Sequence, residues 1–414
     1  MYLGDHMKKV TIIGAGASGL MASIYLKEQA IKNNLDLEIK LLEKNDRVGK
    51  KILSTGNGKC NFSNSFLEPK YYNNPEFVKP ILESFSCENL TEWFLKKGLI
   101  SKVDKEGRVY PITESANSVL DIFRLELEKY NIRTHTSFVV KSIKPKGNGY
   151  FVSDGKNNIF TDYLIVSTGG LSAPVLGSSG DLHRLLKDLD VNITKMQPGL
   201  VGIKTDRESI RSLSGLRSKS LVRLYEDNKL IHEEFGEIQF KDDGISGIVV
   251  MNIASKLRSL NNTKIEADLL PTLSEEYIYT YLVNKQKEYG NFYVGQLLVG
   301  LLPNVLALKV LKDLNIKDGM KIKHLHKEEF DKIIKIVKKY PFKVVSLYGY
   351  DRSQVTVGGV DLNELNDNLE LKKLPNIFLC GEILDIDGMC GGYNLHFAFA
   401  SAVYVSKAII NKQV

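Results

Sequence analysis

Gly14, Gly16 and Gly19 stand at the G-x-G-x-x-G spacing, with Ala17 and Ser18 between the last two and an acid, Glu43, further on. This set of residues can hold a dinucleotide. The first glycine permits a tight turn, the second lets backbone approach a pyrophosphate, and the third lets a helix pack against a strand. A carboxylate at the position of Glu43 can accept hydrogen bonds from ribose hydroxyls, and Lys44 follows it directly. Three more segments carry the same small, hydrogen-bonding chemistry. One runs from Lys51 through Thr55, Gly56, Asn57 and Gly58 to Cys60 and Asn61. Another is the turn Thr168-Gly169-Gly170. The last holds Gly381, Glu382, Asp385, Asp387, Gly388, Gly391, Gly392, Tyr393, Asn394 and Leu395.

The elements that must position these residues can be read around them. KKVTII (8–13) is a β-branched run of the kind found in buried parallel strands. LMASIYLKEQA has helical apolar spacing, and LEIKLLE returns as a second strand ending on Glu43. A β-loop-α-β unit with its acid in place is a stronger signal than the glycines alone. Residues 45–61 read as a loop wrapped around something polar. TSFVVKSIKP and GYFVSDG read as a strand and its hairpin partner, and IFTDYLIVSTGG as a buried strand ending in glycines. NIFLCGE is a third buried strand, and LHFAFASAVYVSKAII is helical in period. A Gly-Gly turn opening that helix directs N–H donors and a positive dipole end at whatever lies there.

The loop after Glu43 and the C-terminal segment point to FAD as the dinucleotide, since a flavin needs protein along its ribityl chain and at its ring. In flavoproteins with two dinucleotide domains, backbone of the strand matching TSFVVKSIKP contacts adenine, which implies that role for backbone near Val140, and Thr168-Gly169-Gly170 matches their A-T-G turn. Asp385 and Asp387 are candidates for ribityl hydroxyls. A helix N-terminus beside the N1 and C2=O of a reduced flavin would raise its potential. Tyr393, His396 and Lys51 are the acid–base candidates, each with packing or cofactor positioning as the competing role; no catalytic residue is assigned.

Taken together, these segments resemble bacterial flavoproteins of the aminoacetone-oxidase-like or BaiN type, NAD(P)/FAD-dependent oxidoreductases. The matching stretches are GAGASG, KKILSTGNGKCN, STGGLSAPVLGSSGDLHRLLKDL, GEIQFKDDGISG and SQVTVGGVDLNEL…IFLCGEILDIDGMCGGYNLHFAFAS. The resemblance implies an α/β fold: a Rossmann-like FAD-binding domain built from both chain ends (1–194 and 345–414). It also implies an inserted β-rich domain (195–270 and 341–352) and a small helical subdomain (271–340). LVGIKTD, SKSLVRLYEDNKLIHEEFGEIQF and IVVMNIA look like β segments. SEEYIYTYLVNKQ, VGQLLVGLLPNVLALKVLKDL and KEEFDKIIKIVKKY look helical. Lys59 replaces the family's usual Arg and His396 its usual Gln. The family's F-T-H-x-G-I-S-G-P becomes Phe240 to Ile248 without the histidine or proline.

Composition bounds the rest. A chain of 414 residues with 43% hydrophobic and 25% charged residues is an ordinary globular composition, long enough for two or three structural units. Cys60, Cys87, Cys380 and Cys390 form no C-x-x-C, which disfavours a metal ribbon and a dithiol relay and fits a reducing, cytoplasmic setting. No apolar run is long enough for a membrane span, the N-terminus lacks a signal-peptide core, and the compact domain is expected to begin at Met7. The net charge of +7 comes from lysines spread along the chain, so nucleic acid is disfavoured as a partner. The expected activity is hydride transfer between a small organic substrate and flavin N5, with oxygen or NAD(P)H as the second redox partner. The alternatives are a flavin-containing nucleic-acid-modifying or binding protein and a non-catalytic flavin sensor.

Overall fold

The computed structural model describes residues 7–257, 260 and 262–413. The expectation about residues 1–6 lies outside the described residues. Two units emerge, one made of the residues up to Gly199 together with those from Ser353 on, the other of Leu200–Arg352.

The first unit is Rossmann-like α/β. Its central sheet is built from β1 (Lys8–Ile13), β2 (Leu37–Leu42), β3 (Arg133–His135), β4 (Tyr163–Val166) and β5 (Ile377–Leu379), in the order β5-β4-β1-β2-β3. Every pairing is parallel. This explains why β1 and β4 read as continuous apolar runs, because both faces of a parallel sheet are covered. Helix α1 (Ala17–Lys32) joins β1 to β2, and helix α2 (Tyr393–Asn411) packs on α1, where Ser406 donates to the Ala22 carbonyl at 3.4 Å. Small residues on both helices permit that approach. Chain order reverses at β1, with β2 on one side and β4 on the other, so a crevice opens beyond the carboxyl ends of these strands.

Several readings are corrected here. IFTDYLIVSTGG is two strands, Asn158–Thr161 and β4, separated by Asp162, which donates from its N–H to the Lys9 carbonyl and accepts the Lys9 N–H on its carboxylate. Residues 158–161 belong to a separate antiparallel sheet with 142–146 and 149–153. TSFVVKSIKP is a strand only over Ser142–Lys146. Before it, Ser137 takes a left-handed conformation (φ 57°), and Ser137 and Phe138 donate to the carbonyls of Asn45 and Glu43. The chain there is drawn onto the end of β2.

The second unit holds a seven-stranded antiparallel sheet in the order 340–342, 263–268, 217–226, 229–241, 244–246, 203–205, 344–347. Only Lys343 separates the two edge strands in sequence, so residues 340–347 pair with both edges of the sheet. The helices Glu275–Tyr289, Asn304–Asp313 and Lys327–Lys338 share one apolar core with this sheet, with Ile278, Leu306 and Ile333 among the same buried cluster as Val222 and Ile265. IVVMNIA is not a strand. Residues Ile248–Lys256 form a helix that buries Val249, Val250, Ile253 and Ala254. Its β-branched composition favours extended chain, but the i, i+1, i+4, i+5 spacing of those four residues places them on one helical face, and burial outweighs propensity. VGQLLVGLLPNVLALKVLKDL is helical only over Asn304–Asp313 and in one short turn at Val294–Gln296; Gly300 (φ 95°) and Pro303 interrupt it. Among the described residues, no helix is long and apolar enough to cross a membrane.

Candidate functional site

The four glycine-rich segments meet at the carboxyl edge of the parallel sheet. Gly14 leaves β1 with φ 100°, and a Cβ on it would lie 2.6 Å from the Ser167 carbonyl oxygen, so the first loop and the Thr168-Gly169-Gly170 turn touch backbone to backbone. Ser167 fixes the approach by donating from its hydroxyl to the carbonyls of Ile13 and Gly14. A Cβ on Gly19 would fall 1.8 Å from the Gly14 oxygen, and one on Gly381 would fall 2.6 Å from the Ser18 hydroxyl. The segment after Glu43 joins the same cluster through Gly49, whose N–H donates to the Ala15 carbonyl at 2.8 Å.

Gly16 differs from its neighbours, because a Cβ there would meet no atom within 4 Å. The structure needs glycine at 14 and 19 for its own packing, whereas at 16 it leaves room for something outside the chain. Helix α1 starts at this point with no side-chain cap and no acidic residue in its first turn. Its terminal N–H groups and positive dipole end therefore face that room, an arrangement that suits a pyrophosphate.

Glu43, at the end of β2, is nearly buried. One carboxylate oxygen accepts the Ala15 N–H at 2.8 Å, and the other accepts both the N–H and the side-chain amide of Asn45, each at 2.8 Å. The oxygen shared with Asn45 has both lone pairs engaged, while the one facing Ala15 keeps a site for a further donor such as a ribose hydroxyl. Asn45 also donates to the Leu176 carbonyl, and the sequence reading overlooked it although it stands two positions from the acid. Lys44 turns away and pairs with Asp181 at 2.8 Å. Val140 is buried, just beyond the point where Phe138 donates to the Glu43 carbonyl.

Residues 52–58 form a 3-10 stretch broken at Thr55, Gly56 and Asn57, with Gly56 and Asn57 in left-handed conformations. Asn57 and Gly58 are exposed. Cys60 is buried, and desolvation pushes its thiol up to about 12, so it is a packing residue and no thiolate nucleophile. The side-chain oxygen of Asn61 is buried and accepts no hydrogen bond. A buried acceptor without a donor is the kind of group a ligand satisfies.

The C-terminal segment is held by a stretch without a motif, residues 63–74. Asn64 donates to the Gly391 carbonyl at 2.9 Å, and the Tyr72 hydroxyl donates to the Tyr393 carbonyl at 2.8 Å. Asn73 donates to Asp385 and accepts the Asp387 N–H. Asn394 closes its own turn, accepting from the Gly388 N–H and donating to the Gly388 carbonyl. Leu395 is half-buried in the first turn of α2. Gly392 has φ 98°, and a Cβ on it would sit 2.2 Å from the Ser63 carbonyl oxygen. Like α1, helix α2 begins without a side-chain cap or a first-turn acid. Lys51 pairs with Glu382 at 2.7 Å, and the other Glu382 oxygen accepts the Thr356 N–H, which ties the second segment to the fourth.

The acid–base candidates are constrained. His396 is fully buried, with Ser63 at 2.9 Å from Nδ1 and the Phe85 carbonyl at 3.0 Å from Nε2. Desolvation pulls its pKa down to about 4, so it is neutral and structural at ordinary pH. The Tyr393 phenol is pushed up to about 12 by burial, with Tyr71 and Glu68 adding to the shift. The Lys51 ammonium is committed to Glu382.

A profile for the family described as HI0933-like protein Rossmann domain matches residues 8–408. The chain is 29% identical over 409 residues to a 3-dehydro-bile acid delta(4,6)-reductase of Clostridium scindens, covering 97% of this chain and 99% of the relative. It is 28% identical over 397 residues to a ribosomal RNA dihydrouridine synthase of Escherichia coli, covering 94% and 95%. The solved structure of 3-ketosteroid delta1-dehydrogenase from Sterolibacterium denitrificans superposes with a TM-score of 0.51 at 13% identity, over 97% of this chain and 99% of that one, which is a likeness of fold.

Proposed function

The chain belongs to the HI0933-like Rossmann-domain family, and from that premise we propose that it is an FAD-dependent oxidoreductase that reduces a carbon–carbon double bond conjugated to a carbonyl. The observation that carries the cofactor is the room at Gly16 before an uncapped helix, with Glu43 buried beside it. Gly14, Gly16, Ala17, Ser18 and Gly19 would hold the pyrophosphate, Glu43 the ribose, and backbone near Val140 the adenine. Thr55 to Asn61, with the orphaned Asn61 oxygen, and the start of α2 at Gly391 to Leu395 would line the flavin half. When bound, FAD supplies a two-electron hydride donor or acceptor.

The bond class is supported by what the two relatives' names share. A delta(4,6)-reductase of a 3-dehydro steroid and a dihydrouridine synthase both add hydrogen across a double bond conjugated to a carbonyl. Net, the substrate gains two electrons and two protons, and NAD(P)H is the electron source in this reading. The protein's own part is to bind and orient. His396 fastens α2 to residues 63 and 85 and moves no proton. The four cysteines are free thiols, which suits a reducing cytoplasm.

The test is direct. Purified protein should show flavin absorbance and release FAD by mass analysis, and under anaerobic conditions NADPH should bleach the absorbance of a steroidal 4,6-dien-3-one. A protein that cannot be loaded with FAD sinks the cofactor assignment. A loaded protein that leaves conjugated carbonyl compounds untouched sinks the substrate class.

A further inference from the structure

A cleft of about 390 Å³ opens among the helices of the first unit, a size within the range of about 300–1,000 Å³ that small ligands use. Its walls come from α1, from the helices Pro75–Ser84 and Cys87–Leu95, and from the last turns of α2. No residue of the four glycine-rich segments lines it. Tyr25 and Phe85 supply aromatic surface, edge to face with ring centres 6.1 Å apart. Trp93 adds to it, with Lys97 lying 4.0 Å over its ring and its indole N–H donating to Glu28 at 2.9 Å.

Most charges of the cleft are matched within it. Glu28 pairs with Lys97 at 2.6 Å, and Glu92 with Lys96 at 2.8 Å. Glu83 and Glu88, the acids next in sequence to lining residues, are exposed and do not line it. Lys407 is the lining cation left over. It is half-buried, donates to the Ser84 carbonyl at 2.7 Å, and makes no ion pair among the described residues. Desolvation lowers the pKa of its ammonium, and no carboxylate offsets that burial. Its register explains how it comes to be there. His396 lies eleven positions earlier on α2, three turns away on the same face, and bonds the Phe85 carbonyl while Lys407 bonds that of Ser84. The Ser84 carbonyl ends a helix and so favours a cation. Yet one carbonyl engages one of three N–H donors and cancels no charge.

These groups define the occupant. A single uncompensated ammonium beside aromatic rings matches a single negative charge on a flat, apolar body. Phosphate matches less well, because it calls for several donors, and the helix that begins here is closed by the capping box of Ser86 and Asn89. We propose that this cleft binds a small aromatic carboxylate, with the carboxylate on Lys407 and the ring against Tyr25 and Phe85. The site is separate from the dinucleotide crevice and stands independently of the proposed reduction.

Trp93 is the single tryptophan of the chain, so its fluorescence reports from the cleft itself. The full, FAD-loaded chain is titrated with phenylacetate while Trp93 emission and, separately, the heat of binding are followed. Both should saturate at one site with a dissociation constant of about 1 mM or tighter. The neutral analogue 2-phenylethanol, and acetate, which lacks the ring, should each bind about tenfold or more weakly. Lys407→Met should weaken phenylacetate binding about tenfold or more. Lys96→Met removes a paired, exposed lysine of the same cleft and should change it less than about threefold. Both variants should keep their flavin; should Lys407→Met not fold, the ligand comparison on the unaltered chain decides. No Trp93 response up to about 10 mM phenylacetate, equal affinity for the alcohol or for inorganic phosphate, or equal loss in the Lys96 variant would each overturn the proposal. A change in flavin absorbance without one in Trp93 would also overturn it, by placing the ligand in the dinucleotide crevice.

Discussion

At the scale of single residues, one motif contains glycines with different reasons for being glycine. At Gly14 and Gly19 a side chain collides with backbone, while at Gly16 it would project into free space. Gly16→Val should therefore fold with a near-native melting temperature yet retain no FAD, measured by absorbance of the purified protein against its thermal transition. A variant that keeps stoichiometric flavin would refute the pyrophosphate assignment. Glu43 has a second duty, since it accepts from Ala15 and Asn45. Glu43→Ala should weaken FAD binding and also destabilise the FAD-free protein by about 1–3 kcal/mol, because the buried Ala15 N–H loses its acceptor; a denaturant titration of both forms separates the two effects. His396 makes a pH prediction. Its folded pKa of about 4 lies below its ordinary 6.5, so the folded state prefers the neutral ring. That contribution is fully present above about pH 6.5 and is lost as pH falls toward about 4, amounting to about 3 kcal/mol. The His396→Gln variant should show a shallower loss of stability over that window. Some slope should remain, because burial also lowers the pKa of His183.

At the scale of elements, the site depends on two helices that begin with nothing to cap them. Natural helices usually satisfy their first N–H groups with a side chain. Here α1 and α2 both leave that to another partner, and both start within segments carrying glycines at positive φ. Gly392 couples α2 to residues 61–64, where a Cβ would strike the Ser63 carbonyl and the Asn61 side-chain oxygen. Gly392→Ala should lower the melting temperature by several degrees through left-handed strain and this clash. It should also weaken flavin retention, because the start of α2 must shift. An unchanged melting temperature and flavin content would mean that the α2 start is not held as tightly as these contacts imply.

At the scale of the whole molecule, the second unit enters and leaves the first across one short ladder. Gln197–Gly199 pairs antiparallel with Val355–Val357, with Gly199 opposite Val355. The ends of residues 200–352 are therefore adjacent, and a tight Asn-Gly connection between Gly199 and Ser353 can close the gap as a hairpin. Such a shortened chain should fold cooperatively and hold FAD. A product that is insoluble or colourless would show that the first unit does not stand without the second.

Much of this was legible in the linear chain, for identifiable reasons. The β1-loop-α1-β2 unit with Glu43 could be read because each part is local: a strand, a turn and a helix within about forty residues impose their own periodicities. The C-terminal strand and helix were legible for the same reason, and family resemblance tied the two ends together. The helix at 248–256 was not, because β-branched residues speak for strand until a neighbouring sheet offers them a surface to bury against. The support of the site by Asn64, Tyr72 and Asn73 was not legible either, since the groups they hold there lie more than three hundred positions away. Sequence alone determined that a glycine-rich loop joins a buried strand to a helix and that an acid closes the next strand. Tertiary structure alone decided that His396 is locked and neutral and that Gly16 faces open space. Burial, clearance and juxtaposition are relations between distant residues, and no local pattern encodes them.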